Sequence, residues 1–489
     1  MWPFSKWRTL FAPAPVSTAK LPLYLHNTLS GKDEQFTLPP AAHTVRMYNC
    51  GPTVYGRQHI GNLSMFVFTD VLKRALEYND FKVKQVINIT DVGHLTSDAD
   101  EGEDKMSKGL KSEKMKFTLK NMRALGEKYT ATFLDDLRSL NIDTARIEFP
   151  RASDYIPAQI AMIHALMDKS YAYTAEGGVY FDTAHFPRYG ELGGIDIKGL
   201  REGARVTAVA GKRSPTDFVL WKFDKKIGWE SPWGQGFPGW HIECSAMIRK
   251  TLGEQIDIHT GGIEHIPVHH NNEIAQSEGA IGKRPLSRFW LHRAHIQFQG
   301  GKLAKSAGNV VYLSDVIERG FHSLALRYLF LGAHYRTNAN FSWEALQASS
   351  TALSRLAQYA QEEGGAVAET YRARFHERIN DDLDTPGALA VLWDVTKDSS
   401  LSSADISATV RDADRVLGLG LGTVEALNVP VADTVRVDDL SAEVALLVAQ
   451  REEARTGKDW TRADELRDQI AEAGYDIKDT PTGPTITKV

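Results

Sequence analysis

Cysteine is scarce in this chain, which has only Cys50 and Cys244 among its 489 residues. Two cysteines exclude the dense disulfide framework of small secreted domains. An isolated cysteine in such a chain is usually a small buried apolar side chain rather than a ligand. The sequence around both cysteines nevertheless supports a second interpretation, in which they bind a metal ion.

Other absences narrow the class of protein further. No apolar run approaches the ~20 residues that span a bilayer, so we expect no membrane segment and a cytoplasmic protein. The net charge of −5 gives no global attraction to nucleic acid, although a local basic face would suffice to bind RNA. Residues 1–20 are basic and aromatic without a signal-like apolar core, so we interpret them as an N-terminal extension, with organelle targeting as the alternative.

The stretch from residue 48 to residue 62 organises the first part of the chain. It reads Y-N-C-G-P-T-V-Y-G-R-Q-H-I-G-N. It predicts a buried strand that breaks after Cys50 and a helix that opens near His59, with an apolar face further along the helix. Free N–H groups at a helix start favour an anion such as a phosphate. A candidate metal ligand therefore lies one short loop away from a candidate phosphate site.

The order of patterns predicts an α/β fold in several parts. A β-branched strand over 81–90 follows a helix over 63–79, which is typical of a βαβ unit in a Rossmann-like parallel sheet. We expect this sheet domain over 21–317, with an inserted subdomain at about 92–230 and a return to the sheet from residue 239. A helical bundle over 318–430, a linker and a small α+β module over 440–489 complete the prediction.

Four residues form a candidate metal set. Cys244 lies in a strand-to-helix segment, and His269 and Glu273, four residues apart, share one face of a predicted helix. Two thiolates, an imidazole and a carboxylate suit Zn²⁺. On these residues alone, the metal interpretation and a purely structural one both stay open.

Two short motifs are ambiguous by themselves. H-I-G-N at 59–62 is either a phosphate-binding helix start or a helix start with an incidental histidine. K-L-A-K-S-A-G-N at 302–309 is either a surface charge cluster or a loop whose lysines stabilise charge on phosphates. K-M-S-K at 105–108 precedes a helix inside the expected insertion, and we interpret it as a solvated charge cluster.

Taken in order, the motifs closely resemble those of class I aminoacyl-tRNA synthetases and, more narrowly, of the cysteinyl-tRNA synthetase family. The motifs are C-G-P-T-V-Y, H-I-G-N, N-I-T-D, G-W-H-I-E-C-S-A-M, H-H-N-N-E and K-L-A-K-S-A-G-N. The resemblance extends from about residue 21 to the C-terminus. G-W-H-I-E-C-S-A-M is its most specific part, because nine matching residues surround one proposed ligand.

The resemblance implies a role for each candidate residue. One Zn²⁺ per chain would be held by Cys50, Cys244, His269 and Glu273. Thr90 and Trp240 would surround the substrate cysteine, although a plain core tryptophan remains the alternative for Trp240. The ATP site would comprise His59, Asn62, Lys302 and Lys305 as catalytic contacts to phosphate, with Gly261 and Gly262 beside the adenosine.

The resemblance also implies the activity and the partners. We expect a cysteine–tRNA ligase that converts L-cysteine and ATP, with Mg²⁺, to cysteinyl-adenylate and then charges the terminal adenosine of tRNA(Cys). We expect a monomer whose C-terminal module contacts tRNA through Arg451, Arg455, Lys458, Arg462 and Arg467. A mycothiol-type ligase of cysteine to an amino sugar and a non-catalytic RNA-binding paralogue are the alternatives.

Three motifs depart from the family pattern. Asn62 replaces the second histidine of H-I-G-H, so an amide must make that phosphate contact. Leu303 and Ala304 replace the Met-Ser of K-M-S-K-S, while both lysines remain. Asn271 stands where H-H-E-N-E has its first glutamate, and both proposed ligands in that motif are kept.

Overall fold

The computed structural model describes most of the chain. It covers residues 21–92, 105–195, 211–298, 301–302, 310–422, 440–457, 459–480 and 483–488. The expected N-terminal extension, the linker at 431–439 and residues 303–309 lie outside the described residues. The chain divides into two compact units, Met1–Val316 with Ser323–Val424, and Ile317–His322 with Glu425–Val489.

Strands and helices alternate through the first part of the chain, and helices dominate after residue 312. The strands are β1 (Tyr24–Asn27), β2 (Lys32–Gln35), β3 (Thr44–Asn49), β4 (Lys82–Ile87), β5 (Ile147–Glu148), β6 (Ala172–Ala175), β7 (Gly178–Phe181), β8 (Phe218–Phe223), β9 (Gly236–Pro238), β10 (Ile256–Gly262), β11 (Ser287–Arg293), β12 (Ile296–Phe298), β13 (Gly301–Lys302), β14 (Ala339–Phe341), β15 (Tyr475–Thr480) and β16 (Gly483–Lys488). The helices are α1 (Ile60–Tyr78), α2 (Lys105–Ser112), α3 (Leu119–Ser139), α4 (Ile156–Asp168), α5 (Trp240–Thr251), α6 (Asn271–Ile281), α7 (Leu313–Glu318), α8 (Ser323–Leu331), α9 (Trp343–Tyr359), α10 (Glu369–Asn380), α11 (Thr385–Val395), α12 (Ser403–Leu417), α13 (Ala442–Thr456) and α14 (Trp460–Glu472).

A five-stranded parallel sheet forms the centre of the first unit. Its strand order is β11-β10-β3-β4-β5. β3 pairs with β4 along its whole length, from Thr44 opposite Lys82 to Asn49 opposite Ile87. The apolar residues of β3 and β10 are buried because helices cover both faces of a parallel sheet. The predicted α/β fold and its first βαβ unit are confirmed.

One element differs from the prediction where the chain returns to the sheet. The segment expected to run from strand into helix is helical from its second residue, as α5, and Cys244 lies inside this helix. Residues 241–248 are all buried, and polar His241, Glu243 and Ser245 alternate there with Ile242, Cys244 and Ala246. Such alternation is typical of a strand rather than of a helix.

The region between β4 and α5 contributes its own layer. A four-stranded antiparallel sheet has the order β6-β7-β8-β9, and the β6–β7 hairpin turns at Glu176 and Gly177. The region also returns to the central sheet, because β5 pairs in parallel with β4 as its edge strand. α4 packs on α5 and α6, which carry candidate ligands.

Helices α8 to α12 follow the sheet, as the bundle prediction requires. A buried arginine on α8 connects this helix to three others. Arg327 on α8 is fully buried and its Nη2 lies 2.6 Å from Asp70 Oδ2 on α1. Its other nitrogens donate to the carbonyl oxygens of Leu140, at 2.9 Å, and Leu417, at 2.7 Å. One guanidinium therefore joins helix α1 to the ends of α3 and α12.

The second unit has a small core of its own. α13 and α14 pack with the β15–β16 hairpin around Val448, Ile470, Ile477 and Ile486. This arrangement confirms the predicted small α+β module. None of the helices in the described part of the chain combines the length and apolar character needed to cross a membrane.

We predict that Arg327→Met lowers the free energy of unfolding by about 3 kcal/mol, because it leaves the buried Asp70 and two buried carbonyl groups short of a donor. The exposed pair Arg372–Glu369, 2.6 Å apart, supplies the control, and Arg372→Met should cost less than about 1 kcal/mol. Urea unfolding followed by circular dichroism measures both variants. Equal costs would refute the connecting role of Arg327.

Candidate metal centre and active-site cavity

Neighbouring strand ends and two helices bring the candidate ligands together. Cys50 follows directly on β3, and its backbone N–H donates to the carbonyl oxygen of Thr260 on β10, at 3.1 Å. α5 and α6 pack against each other and supply Cys244 and Glu273. The set thus lies at the carboxyl end of the parallel sheet, where open α/β sheets bind ligands.

Cys50, Cys244, His269 and Glu273 form a compact, fully buried tetrad. One ligand atom from each residue lies within 4.8 Å of the others. His269 Nε2 is 2.9 Å from Glu273 Oε1, and Cys50 Sγ is 3.7 Å from the same oxygen. A tetrahedral zinc ion needs ligand atoms roughly 3–4 Å apart, so the donors fit this metal in type and spacing.

The backbone before α6 places the histidine. His269 lies in a turn of π-helix over Ile266–His270, which leads directly into α6. This wider turn lets His269 approach Glu273 on the next helix, and π-turns are frequent at functional sites. On its other side, His269 Nδ1 lies 2.8 Å from His241 Nδ1, an outer contact of the kind that orients metal-binding histidines.

The pKa values of the tetrad are shifted because several ionisable groups lie close together in a buried site. Burial raises the pKa of Cys50 well above its ordinary value, whereas the hydrogen bond from Cys50 lowers the pKa of Cys244 to about 6. Burial alone would raise the pKa of Glu273, but His259 and His269 hold it well below its usual range. Burial opposes the charge on His269, yet Glu273 and Cys244 raise its pKa to about 10. A divalent cation would replace these protons at the same place.

A second group of donors overlaps the first. Cys50, His259, His270 and Glu273 also have ligand atoms within 4.8 Å of one another. His259 Nε2 is 3.0 Å from Glu273 Oε2, and His270 Nδ1 is 2.8 Å from His292 Nε2. Burial lowers the pKa of His292 to about 3 and that of His270 well below 6.5, so these two imidazoles are neutral.

The first group is the better metal site because it opens to a cavity. Cys50, Cys244 and His269 all line a cavity of about 680 Å³, whereas His259 and His270 are not among its lining residues. A ligand in this cavity could therefore reach a metal held by the first group. His259 instead contacts the second carboxylate oxygen of Glu273 and lies outside the cavity lining.

The start of α1 opens onto the same cavity. His59 caps this helix, since its Nδ1 accepts a hydrogen bond from the Asn62 N–H at 3.2 Å. The side chains of His59 and Asn62 line the cavity together with Trp240 and Gly262. The candidate metal ligands and the candidate phosphate contacts thus share one space, as the short loop between them requires.

Two other expected site residues lie outside the cavity lining, and the side chains of two more are not described. Thr90 is buried outside the cavity lining and its Oγ1 donates to Glu243 Oε2 at 3.1 Å. Gly261 packs against histidines, since a Cβ there would lie 2.5 Å from His270 Cε1. Lys302 ends β13, where only its backbone is described, and Lys305 lies outside the described residues.

The interpretation of K-M-S-K at 105–108 as a solvated cluster is wrong. These residues begin α2, in which Met106 is fully buried, and Lys105 and Lys108 line the cavity. Apolar residues or glycine at 106, 109 and 110 give the segment a helical core face, which was the available signal.

Comparisons with known proteins place the chain in a family. Residues 37–351 match the tRNA synthetases class I (C) catalytic domain, and residues 437–485 match the cysteinyl-tRNA ligase anticodon binding domain. Among solved structures, methionyl-tRNA synthetase of Mycobacterium tuberculosis in complex with methionyl-adenylate has the same fold, with a TM-score of 0.54 at 14% identity over 80% of this chain and 92% of that one. The matching catalytic domain, which spans more than half of the chain, makes this protein a class I aminoacyl-tRNA synthetase.

Sequence relatives specify the family within that class. The chain is 46% identical to cysteine–tRNA ligase 1 of Burkholderia lata, over 95% of this chain and 96% of that protein. It is 39% identical to cysteine–tRNA ligase of Treponema denticola, over 94% of this chain and 98% of that protein. The chain belongs to the cysteine–tRNA ligase family.

The two overlapping donor groups differ in which variant they predict to lose the metal. We expect purified wild-type protein to contain about one zinc ion per chain and His269→Gln to lose most of it, because tetrahedral zinc needs four donors. His270→Gln, the matched neighbour, should retain zinc. Elemental analysis by mass spectrometry measures the content, and circular dichroism checks folding. Loss in His270→Gln with retention in His269→Gln would assign the metal to the other group.

Proposed function

We propose that this protein activates L-cysteine with ATP and transfers it to tRNA(Cys), with one Zn²⁺ bound by Cys50, Cys244, His269 and Glu273. One observation carries the proposal: a buried thiol, imidazole and carboxylate set opens on the same cavity as the N-terminus of α1. An amino acid held by its side chain would then have its carboxylate beside a phosphate site.

Selection of cysteine rests on the side-chain donors. Zinc in this site would supply a soft Lewis acid that binds a thiolate well and a hydroxyl poorly, which separates cysteine from serine. Loss of a whole polar interaction discriminates far better than a missing methylene and removes the need for an editing site. Trp240 stands beside these donors, its ring centroid 4.3 Å from that of His269, and forms a wall for the substrate.

Adenylate formation takes place at the other end of the cavity. A carboxylate oxygen of cysteine attacks the α-phosphorus of ATP, the bond from that phosphorus to the bridging oxygen breaks, and pyrophosphate leaves with Mg²⁺. His59 and Asn62 at the start of α1 bind the phosphates, with Lys302 and Lys305 completing the contacts. Gly262 lies against the adenosine, while Thr90 fixes Glu243 behind the cysteine subsite.

The second unit supplies recognition of tRNA. Arg462 and Arg467 on α14 are exposed and suited to backbone phosphates. Arg451 is only 1% exposed and pairs with Glu452 at 2.7 Å, so this arginine is a core residue rather than a contact. The match to an anticodon binding domain favours tRNA over an amino sugar as the acceptor. We propose a cytoplasmic monomer.

Transfer of labelled cysteine onto unfractionated tRNA tests the proposal. With ATP, Mg²⁺ and a reductant, label should enter tRNA and should fail to enter tRNA whose terminal diol was oxidised beforehand. A matched reaction with labelled serine should give at least about 1,000-fold less product, as expected when a site's polar group loses its partner.

Absence of label would contradict the proposal. Cysteine-dependent exchange of pyrophosphate into ATP would then indicate a ligase for another acceptor, such as an amino sugar. Zinc-containing protein without exchange would indicate a non-catalytic RNA-binding paralogue.

A further inference from the structure

Helix α2 is fixed against the loop that precedes α1. Met106 and Leu110 are buried in a cluster with Met122, Leu125 and Phe237. Gly109 faces the loop, and a Cβ at this position would lie 2.5 Å from the carbonyl oxygen of Tyr55. Only a glycine lets the two backbones approach so closely, so the helix cannot move away or rotate without losing its core contacts.

The position of α2 places one lysine in the cavity lining near the metal set. Lys105 is half-buried, lines the cavity, and has its Nζ 5.4 Å from the centroid of the Trp240 ring. That distance is within the range of a cation–π contact. Because the Trp240 ring also packs on His269, Lys105 lies one aromatic ring away from the metal set.

The chemistry of cysteine supplies a partner for this cation. Three bonds separate the sulfur of cysteine from its carboxylate carbon, a span of roughly 4 Å. A cysteine with its sulfur at the tetrad would extend its carboxylate past the edge of the Trp240 ring toward Lys105. An ammonium–carboxylate hydrogen bond is stronger than one between neutral groups.

We propose that Lys105 is a substrate-binding residue that holds the α-carboxylate of cysteine and turns one of its oxygens toward the α-phosphorus of ATP. The inference rests on the proposed function and adds a residue from the inserted region to the site. Lys105 acts here by donating hydrogen bonds and transfers no proton. It differs from the lysines at 302 and 305 in the group that it binds, since the proposed function assigns those two to phosphate.

A pair of ligands that differ only by the carboxylate tests the proposal. L-cysteine has a thiol, an amine and a carboxylate, whereas cysteamine lacks the carboxylate. Calorimetry with the full-length, zinc-containing protein in the absence of ATP gives both dissociation constants. Lys105→Met should weaken L-cysteine roughly tenfold to hundredfold, as for loss of a charged hydrogen bond, and cysteamine by less than about twofold.

Two further variants control for charge and for the helix. Lys105→Arg keeps the cation and should recover most of the affinity for L-cysteine. Lys111→Met, on the same helix and not among the cavity-lining residues, should leave both ligands within about twofold of wild type. Pyrophosphate exchange measured alongside gives the KM values for cysteine and for ATP.

Each remaining result decides the matter. Equal weakening of both ligands by Lys105→Met would assign it a structural role and overturn the proposal, and so would a rise confined to the KM for ATP. Lys105→Met could selectively weaken L-cysteine binding while the wild-type protein catalyses no pyrophosphate exchange. That result would refute the proposed function and leave the carboxylate-binding role of Lys105 standing. Wild-type protein that binds neither ligand would overturn both.

Discussion

The carboxylate of Glu273 is completely buried at the end of a parallel sheet, and most of the site is arranged to accommodate it. Its two oxygens face different histidines, Oε1 toward His269 and Oε2 toward His259. A buried carboxylate is costly unless it is paired or binds a metal. Cys50 and Cys244 add two sulfur donors to the same point, which makes a divalent cation the natural partner of this charge.

The remaining geometry follows from where that point lies. Cys50 directly follows β3, and the loop after it leads into α1, so one short loop connects the candidate metal set to the candidate phosphate site at the helix start. Trp240 is the first residue of α5 and Cys244 lies one turn later. One helix therefore supplies both the aromatic side of the proposed substrate site and a candidate metal ligand. The cavity between these elements can then hold a small amino acid by its side chain while leaving the carboxylate free to react.

Local patterns predicted much of this arrangement, and long-range packing accounts for the differences. The βαβ unit and the terminal hairpin were predictable because periodicity and turn residues are local properties. The tetrad was proposed from residue types and from a family resemblance, and the structure brings all four side chains together.

The errors occurred where burial or distant contacts decide the outcome. Polar and apolar residues alternate in the buried turns of α5, a pattern that the sequence shares with a strand. Lys105 was interpreted as solvated because nothing nearby in the sequence indicates Tyr55 or Trp240, the two residues that fix its position. Arg451 resembled an exposed basic residue of an amphipathic helix, yet it is buried.

The central claim is that a metal held by Cys50, Cys244, His269 and Glu273 binds the thiolate of the substrate. X-ray absorption at the zinc edge, with and without L-cysteine, measures the sulfur atoms bound to the ion directly. The account predicts two sulfur neighbours in the free protein and three after cysteine is added, with no change on adding serine. An unchanged number of sulfur neighbours in saturating cysteine would contradict it.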